Sequence, residues 1–311
     1  MITDKIDAIT KIPEKYMAAR LPAPRSVKIE LTSQCNYRCG FCAHRLRLKD
    51  RGQMDKEFYK NIVKDMAISG VEELGVFYIG ESFMCDWLPE AIQIAKDAGI
   101  KYVFLTTNGS LATPDKVEQC MKAGLDSLKF SMNNATPEQF KDITGVNTKW
   151  LERSIQNLKD AKKVRDEGGY KCGLYASSIQ YDGEQGELMQ TLVNEITPYL
   201  DQHYWLPLYS MGSLAAEREK ELGYKPTAGN QGRLEALRDP LPCWSAFTEG
   251  HITREGKLSA CCFDAGDLWE MADLNKVSFM DGWNSQKFVS LRQAHLKKDV
   301  TGTPCEQCVA Y

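Results

Sequence analysis

Short apolar runs alternate with amphipathic segments along most of the chain. The runs that have the length and composition of buried strands are residues 26–34, 74–79, 102–105, 127–131, 171–180 and 203–210. The segments with helical periodicity between them are residues 54–69, 89–98, 114–123, 150–165 and 187–199. Continuous apolar strands separated by helices are typical of a parallel sheet that is covered on both sides or closed into a barrel. The pattern therefore predicts an α/β fold, and it suits a partial six-stranded barrel, a full eight-stranded barrel or an open doubly wound sheet.

Three regions lie outside this alternation. Residues 1–25 have a partly helical pattern that Pro13 interrupts and that ends at Pro22. Residues 212–242 combine a charged segment with a stretch containing Gly, Pro and Asn, which indicates a linker or flap. Residues 243–311 contain five of the eleven cysteines. We therefore expect four units: an N-terminal helical segment at 1–25, an α/β core at 26–211, a linker or flap at 212–242 and a cysteine-rich unit at 243–311.

Composition narrows the class of protein. The formal charge is −3, whereas general nucleic-acid binders are usually strongly basic. No apolar run reaches the roughly 20 residues that a membrane helix needs, and the N-terminus lacks a secretory signal pattern. We therefore expect a cytoplasmic protein without nucleic-acid or membrane partners. In a reducing compartment, eleven cysteines indicate metal ligands or catalytic thiols rather than disulfides.

A loop with three cysteines follows the first predicted strand. Cys35, Cys39 and Cys42 have the spacing Cys-x3-Cys-x2-Cys, and the loop lies at the carboxyl end of that strand, where α/β folds place their sites. Four cysteines normally hold an iron–sulfur cube, so three thiolates would leave one iron open to a small molecule. A zinc site is the alternative, but zinc prefers two Cys-x2–4-Cys pairs, and this loop offers one pair and one odd cysteine.

This loop resembles the signature of the radical S-adenosylmethionine (SAM) superfamily. The resemblance implies a partial (β/α)6 barrel, a 4Fe–4S cluster whose open iron binds SAM, and cleavage of SAM to a radical that abstracts hydrogen from a C–H bond. It also implies a flavodoxin- or ferredoxin-type electron donor. Phe41 matches the aromatic residue of the motif, which in the family packs near the adenine of SAM.

Polar segments after the next three strands resemble the SAM-binding elements of the family, in the family's order. They are Gly80 and Glu81 after the second strand, Thr107, Asn108 and Gly109 after the third, and Ser131 and Asn133 after the fourth. The resemblance implies that the first pair receives the SAM amino group and that the others lie near the methionine, carboxylate or ribose of SAM. Each segment alone is equally typical of a turn.

The second cysteine set, with the sequence around it, closely resembles the SPASM and twitch extensions of this superfamily. Its cysteines are Cys243, Cys261, Cys262, Cys305 and Cys308. A four-cysteine zinc site would have a similar spacing. Because no cysteine follows Cys308, we expect the shorter twitch type with one auxiliary 4Fe–4S cluster. The expected ligands are Cys243, Cys305, Cys308 and one of the adjacent pair, since neighbouring strand residues point to opposite faces. Cys261 has the position of the hairpin ligand in the family.

Three functional hypotheses remain. The first is a radical SAM enzyme that abstracts hydrogen from a sugar- or aminocyclitol-like small molecule, giving epimerisation or oxidation. Cys262 would then return a hydrogen atom to the substrate radical, as such a cysteine does in radical epimerases, or would be a buried structural thiol. The second is a maturase that modifies a peptide or protein, for which the short N-terminal segment and the single expected auxiliary cluster are unfavourable. The third is a non-catalytic zinc or iron–sulfur module.

Overall fold

The computed structural model describes residues 1–47, 51–214, 216–264 and 269–308. Its strands form one sheet in the order β6-β5-β4-β3-β2-β1-β7-β8-β9. The strands are β1 (Ser26–Ile29), β2 (Glu73–Gly75), β3 (Tyr102–Thr107), β4 (Ser127–Ser131), β5 (Gly173–Ile179), β6 (Gln202–Leu206), β7 (Glu249–Ile252), β8 (Lys257–Ser259) and β9 (Glu270–Asp273). Strands β1 to β7 run parallel to one another, and β8 and β9 are antiparallel additions at the β7 edge.

Most of the helices connect successive parallel strands. They are α1 (Ile2–Thr10), α2 (Lys56–Ser69), α3 (Leu88–Asp97), α4 (Pro114–Lys122), α5 (Pro137–Thr144), α6 (Lys149–Gly168), α7 (Gly183–Ile196), α8 (Ala216–Glu221), α9 (Ser245–Thr248), α10 (Phe279–Trp283) and α11 (Gln286–Leu296). Within the described ranges, none of the helices combines the length and the apolar character that crossing a membrane requires.

Local capping chemistry sets the ends of the connecting helices. The Asp55 side chain accepts a hydrogen bond from the Phe58 N–H, so α2 begins one residue later, and Gly70 ends it with a φ of 100°. The Thr136 side chain caps α5 in the same way, and Gly145 closes it. The predicted alternation of strands and helices is therefore confirmed, with shifts of a few residues at the ends.

The sheet curves around one internal cavity of about 220 Å³, which we call the lumen cavity. Lys28 of β1, Phe104 of β3, Lys129 of β4, Tyr204 of β6 and Glu249 of β7 all line it, which a flat sheet would not allow. Residues of α1 line the same cavity. The predicted partial barrel is thus confirmed.

Two parts of the fold differ from the pattern expected from sequence. The first, second and sixth strands end early, at Ile29, Gly75 and Leu206 instead of residues 34, 79 and 210, and α5 lies in a stretch where we predicted no helix. In addition, β7 pairs in parallel with the whole of β1, from Ser26 with Glu249 to Ile29 with Ile252. The first part of the C-terminal cysteine-rich unit is therefore hydrogen-bonded into the barrel sheet. The proposed division into four units stays a prediction.

Candidate active site

The loop with the first three cysteines is fixed by the end of α5. The Arg38 N–H donates to the Thr144 carbonyl at 2.9 Å, and the Gly40 N–H donates to the Ile143 carbonyl at 2.8 Å. The last carbonyls of a helix have no hydrogen-bond partner within the helix. These two bonds therefore satisfy both the terminal carbonyls of α5 and two backbone N–H groups of the loop. The Tyr37 ring packs inside this joint, with its hydroxyl 3.0 Å from Ser154 Oγ. The loop therefore has a defined conformation although it contains no regular strand or helix at its cysteines.

The three thiols of this loop lie close together in a buried environment. Burial raises the pKa of Cys35, Cys39 and Cys42, and the neighbouring thiols raise the pKa of Cys39 further. Iron must therefore displace protons when it binds here. Over the described residues, no group of three or more His, Cys, Asp or Glu side chains could hold a single metal ion. Three buried thiols on one loop supply three of the four cysteine ligands that an iron–sulfur cube normally takes.

The Gly80–Glu81 segment is built into the end of β1. A methyl group on Gly80 would overlap the Thr32 carbonyl, so only glycine allows this close approach. The Glu81 N–H donates to the Gln34 carbonyl at 2.7 Å. The first cysteine loop and the loop after β2 are thus held at a fixed distance.

The Glu81 carboxylate is buried and ties together the loops after β2 and β3. It accepts hydrogen bonds from Thr107 Oγ1 at 2.8 Å, the Asn108 N–H at 2.8 Å and the Phe83 N–H at 3.2 Å. Burial raises its pKa, although these hydrogen bonds act in the opposite direction. The Glu81 side chain therefore has a structural role here, and direct contact of this residue with SAM stays a prediction.

An amide and hydroxyl network, which the sequence analysis missed, connects the cysteine loop to the loop after β3. Asn108 Nδ2 donates to Asn36 Oδ1 at 2.9 Å, and Asn36 Nδ2 donates to Ser110 Oγ at 2.8 Å. Asn157 of α6 donates to the carbonyl of Gly109 at 2.7 Å, and Gly109 has a φ of 82°. Asn36 lies directly beside the first cysteine, but asparagine is so common in loops that its position alone gives little signal.

The other residues predicted to bind SAM lie along the same edge of the sheet. Phe41 is half-buried and packs against the main core. Ser131 ends β4 and pairs with Ser177 of β5. Asn133 Oδ1 accepts a hydrogen bond from the Ile179 N–H at 3.1 Å, so this side chain fixes the end of β5. Contact of Phe41, Ser131 and Asn133 with SAM stays a prediction.

Four cysteines of the second set surround a separate small cavity of about 30 Å³, which we call the auxiliary cavity. They are Cys243 before α9, Cys261 after β8, and Cys305 and Cys308 after α11. Burial raises the pKa of Cys243, Cys305 and Cys308, with about 12 for Cys305. Four buried thiols around one cavity fit the ligand number of an iron–sulfur cluster. Their assignment as ligands stays a prediction.

Cys262 lines the lumen cavity instead of the auxiliary cavity. Beside it, Lys28 Nζ lies 2.8 Å from Glu249 Oε2, and His251 Nε2 lies 3.0 Å from the same oxygen. A hydrogen bond from Cys261, which outweighs burial, and the charges of Lys28 and His251 hold the pKa of Cys262 well below its usual range. Burial opposes ionisation of Glu249, but Lys28 lowers the pKa of that carboxyl to about 2. This group was not predicted, because its members come from distant strands.

Lys129 is a second polar feature of the lumen cavity. Its Nζ donates to the Tyr204 hydroxyl at 3.1 Å, and no carboxylate of the described chain forms an ion pair with it. The other cationic side chains of the cavity have such partners: Lys5 with Glu73, Lys28 with Glu249, and Arg233 with Asp7 and Glu235. The lumen cavity therefore carries one ammonium group whose charge is not balanced locally.

Two solved structures with bound SAM have the same architecture. The structure of BtrN in complex with AdoMet and 2-DOIA is 15% identical and covers 92% of each chain, with a TM-score of 0.59. Streptococcus suis SuiB bound to S-adenosylmethionine is 18% identical, with a TM-score of 0.65, and the match covers 88% of this chain and 68% of SuiB. At these identities the similarity shows the fold alone, which is an α/β partial barrel.

Two family models match the two cysteine regions. Residues 29–172 match the Radical SAM superfamily, and residues 243–309 match SPASM, an iron–sulfur cluster-binding domain. The chain therefore contains a radical SAM domain and a SPASM domain. These domains indicate a 4Fe–4S cluster, an auxiliary cluster and SAM as cofactors. The buried thiols of the loop and of the auxiliary cavity fit them.

Several curated relatives are named as GTP 3',8-cyclases. A probable GTP 3',8-cyclase of Sulfolobus acidocaldarius is 25% identical over 308 residues, covering 86% of this chain and 90% of the relative. A probable GTP 3',8-cyclase of Methanococcus maripaludis is 36% identical over 135 residues. That second match covers 42% of this chain and 44% of the relative.

Proposed function

We propose that this radical SAM enzyme abstracts a hydrogen atom from a carbon of a sugar- or aminocyclitol-like small molecule bound in the lumen cavity. The outcome would be epimerisation, with oxidation as the alternative. When bound, the reduced cluster and SAM supply the radical that takes the hydrogen. The observation that carries the proposal is the separation of the cysteines: Cys262 lines the lumen cavity, and the other four of its set line the auxiliary cavity. The sequence also resembles 2-deoxy-scyllo-inosamine dehydrogenase and neomycin C epimerase.

In the epimerisation, Cys262 donates a hydrogen atom to the substrate radical. The S–H bond breaks, a C–H bond forms, and a thiyl radical remains on Cys262. Its return to a thiol needs one electron, from a flavodoxin- or ferredoxin-type donor, and one proton. His251, which interacts with Cys262, supplies that proton, and Glu249, 3.0 Å from its ring, stabilises the imidazolium form. Although burial opposes it, contacts with Cys262 and Glu249 raise the pKa of His251.

Hydrogen-atom donation requires that Cys262 carries its proton. In an oxidation, the substrate radical would instead give one electron to the auxiliary cluster and one proton to His251 or the Cys262 thiolate.

A nucleotide is the second candidate substrate. The matches to GTP 3',8-cyclases favour it, and one of them spans most of both chains. The unbalanced ammonium group of Lys129 also favours an anionic substrate, whereas a positively charged aminocyclitol would be repelled by it. A neutral sugar is compatible with both observations.

The experiment uses anaerobically reconstituted protein, a strong reductant, SAM and a panel containing 2-deoxy-scyllo-inosamine, neomycin and GTP. The true substrate class will stimulate 5′-deoxyadenosine formation. In D2O, an epimerised product will contain deuterium at one carbon, because the Cys262 S–H exchanges with solvent. The Cys262→Ala variant will still form 5′-deoxyadenosine but no inverted product. Cys120→Ala, a buried thiol of α4, is the matched control. Unchanged inversion in Cys262→Ala would contradict the proposed donor.

A further inference from the structure

Two nitrogen donors reach the sulfur atoms of the auxiliary cavity. His295 of α11 is fully buried, and its Nε2 lies 3.3 Å from Cys305 Sγ. Asn230, which belongs to both cavities, directs its Nδ2 at Cys261 Sγ at 3.4 Å. Both distances are within the range of N–H···S hydrogen bonds. Neither residue is needed to complete a set of four cysteine ligands.

The proton of His295 is fixed on the nitrogen that faces sulfur. The Cys243 backbone N–H donates to His295 Nδ1 at 3.2 Å. A backbone N–H can only donate, so Nδ1 must be the acceptor and carries no proton. The neutral imidazole then has its proton on Nε2, which faces Cys305. The side chain is held in this orientation by the Phe247 ring, which meets it edge to face at 6.1 Å.

The backbone of Asn230 is held in place by a separate hydrogen bond. Trp244 Nε1 donates to the Asn230 carbonyl at 2.9 Å, which fixes the backbone at this position. A thiolate can only accept hydrogen bonds, so a ligating Cys261 would receive the amide N–H of Asn230. The two donors therefore serve two different sulfurs, one from the segment after α11 and one from the segment after β8.

We infer that His295 and Asn230 raise the reduction potential of the auxiliary cluster by donating N–H···S hydrogen bonds to Cys305 and Cys261. Reduction adds negative charge to the cluster sulfurs, and an N–H dipole directed at sulfur stabilises the reduced form more than the oxidised form. Both residues are positioning groups that act through the thiolates. The inference rests on the proposed ligand set but not on the identity of the substrate.

The test is a potentiometric titration of the reconstituted full-length protein, followed by electron paramagnetic resonance. The signal of the auxiliary cluster is the one that persists in a Cys39→Ala variant, which lacks a ligand of the SAM-binding cluster. His295→Leu removes the donor, and His295→Gln keeps an N–H near the position of Nε2. We expect a lower reduction potential in His295→Leu and a value close to that of the parent in His295→Gln, with iron and sulfide unchanged in both.

Asn230→Ala tests the second donor independently and should also lower the potential, with a larger shift when it is combined with His295→Leu. Unchanged potentials in both single variants with full iron content would overturn the inference. Loss of auxiliary iron in His295→Leu would make His295 a ligand or a structural support, which overturns its assigned role, and Asn230→Ala would still decide the other half. If the Cys39→Ala variant showed no paramagnetic resonance signal, the proposed ligand set of the auxiliary cluster would be contradicted.

Discussion

The two cysteine sites are assembled in different ways. Cys35, Cys39 and Cys42 come from a single loop after β1, and neighbouring helix carbonyls hold that loop in place. The cysteines of the auxiliary cavity come from three separate segments: before α9, after β8 and after α11. The first site needs one short segment and a surface on which it docks. The second exists only when a hairpin, a helix and the chain after it have packed together.

This difference separates two kinds of requirement. When all ligands lie in one loop, their spacing can be read from the sequence. The positions of the ligand atoms then depend on the few hydrogen bonds that orient the loop. A site from three segments depends on tertiary packing, and each ligand is positioned by a different element. We therefore expect substitutions near each site to affect the two clusters separately.

The largest expected effect separates the two sites by their ligands. Cys39→Ala should lower the iron content from about eight to about four per chain and abolish formation of 5′-deoxyadenosine, because the SAM-binding cluster is lost. Cys243→Ala should cause a similar loss of iron but keep SAM cleavage. The measurements are iron and sulfide analysis and chromatography of 5′-deoxyadenosine. Loss of SAM cleavage in Cys243→Ala as well would mean that the two sites depend on each other.

A medium effect is expected from Gly80→Ala. Its methyl group would overlap the Thr32 carbonyl and lie 3.0 Å from the Gln34 carbonyl, and backbone can give way only by moving the cysteine loop. The cost of such overpacking is about 1–3 kcal/mol. We expect at least a tenfold loss of SAM cleavage, while auxiliary iron remains, measured by the same two assays.

Gly52→Ala is the control for this substitution. A methyl group there would meet only the guanidinium end of Arg254, and a flexible side chain can move aside. We therefore expect cleavage within a few-fold of the parent. Equal losses of SAM cleavage in both variants would show that replacing a glycine in this region is harmful in itself. The close contact between the ends of β1 and β2 would then not be the cause.

The smallest effect is expected from Asn36→Ala. This change removes the hydrogen bonds to Asn108 and Ser110 between two loops of the first site, each worth about 0.5–1.5 kcal/mol. We expect a rise of a few-fold in the KM for SAM with full iron content. Asn194→Ala, which removes one exposed helical contact with Gln190, should leave the KM unchanged. An unchanged KM in Asn36→Ala would show that the loop is held without this network.

The sequence was most informative where structure depends on local chemistry. The alternating strands and helices follow from runs of neighbouring residues, and the spacing from Cys35 to Cys42 is complete within one loop. The pairing of β7 with β1 could not be predicted, because Ser26 and Glu249 are far apart in the chain and no local pattern encodes their register. The α5 helix was missed because eight residues give a weak periodic signal.

The same limit applies to the polar groups of the site. Gly80 and Glu81 were predicted as a pair from their position after a strand, but the hydrogen bonds from the Glu81 carboxylate to Thr107 and Asn108 require the neighbouring strand to be in place. The cluster around Cys262 requires β1, β7 and the segment after β8 together. Such groups become visible only when the sheet is closed.

The pairing of β1 with β7 has a consequence for synthesis of the protein. On the ribosome, β1 is the first strand to emerge. Its partner on the outer edge, β7, is complete only when residues 249–252 have been synthesised. Until then, β1 presents unpaired backbone groups on that side, which is a common starting point for aggregation. A nascent chain that has stopped before β7 should therefore bind chaperones at this edge, and the completed hairpin should release them.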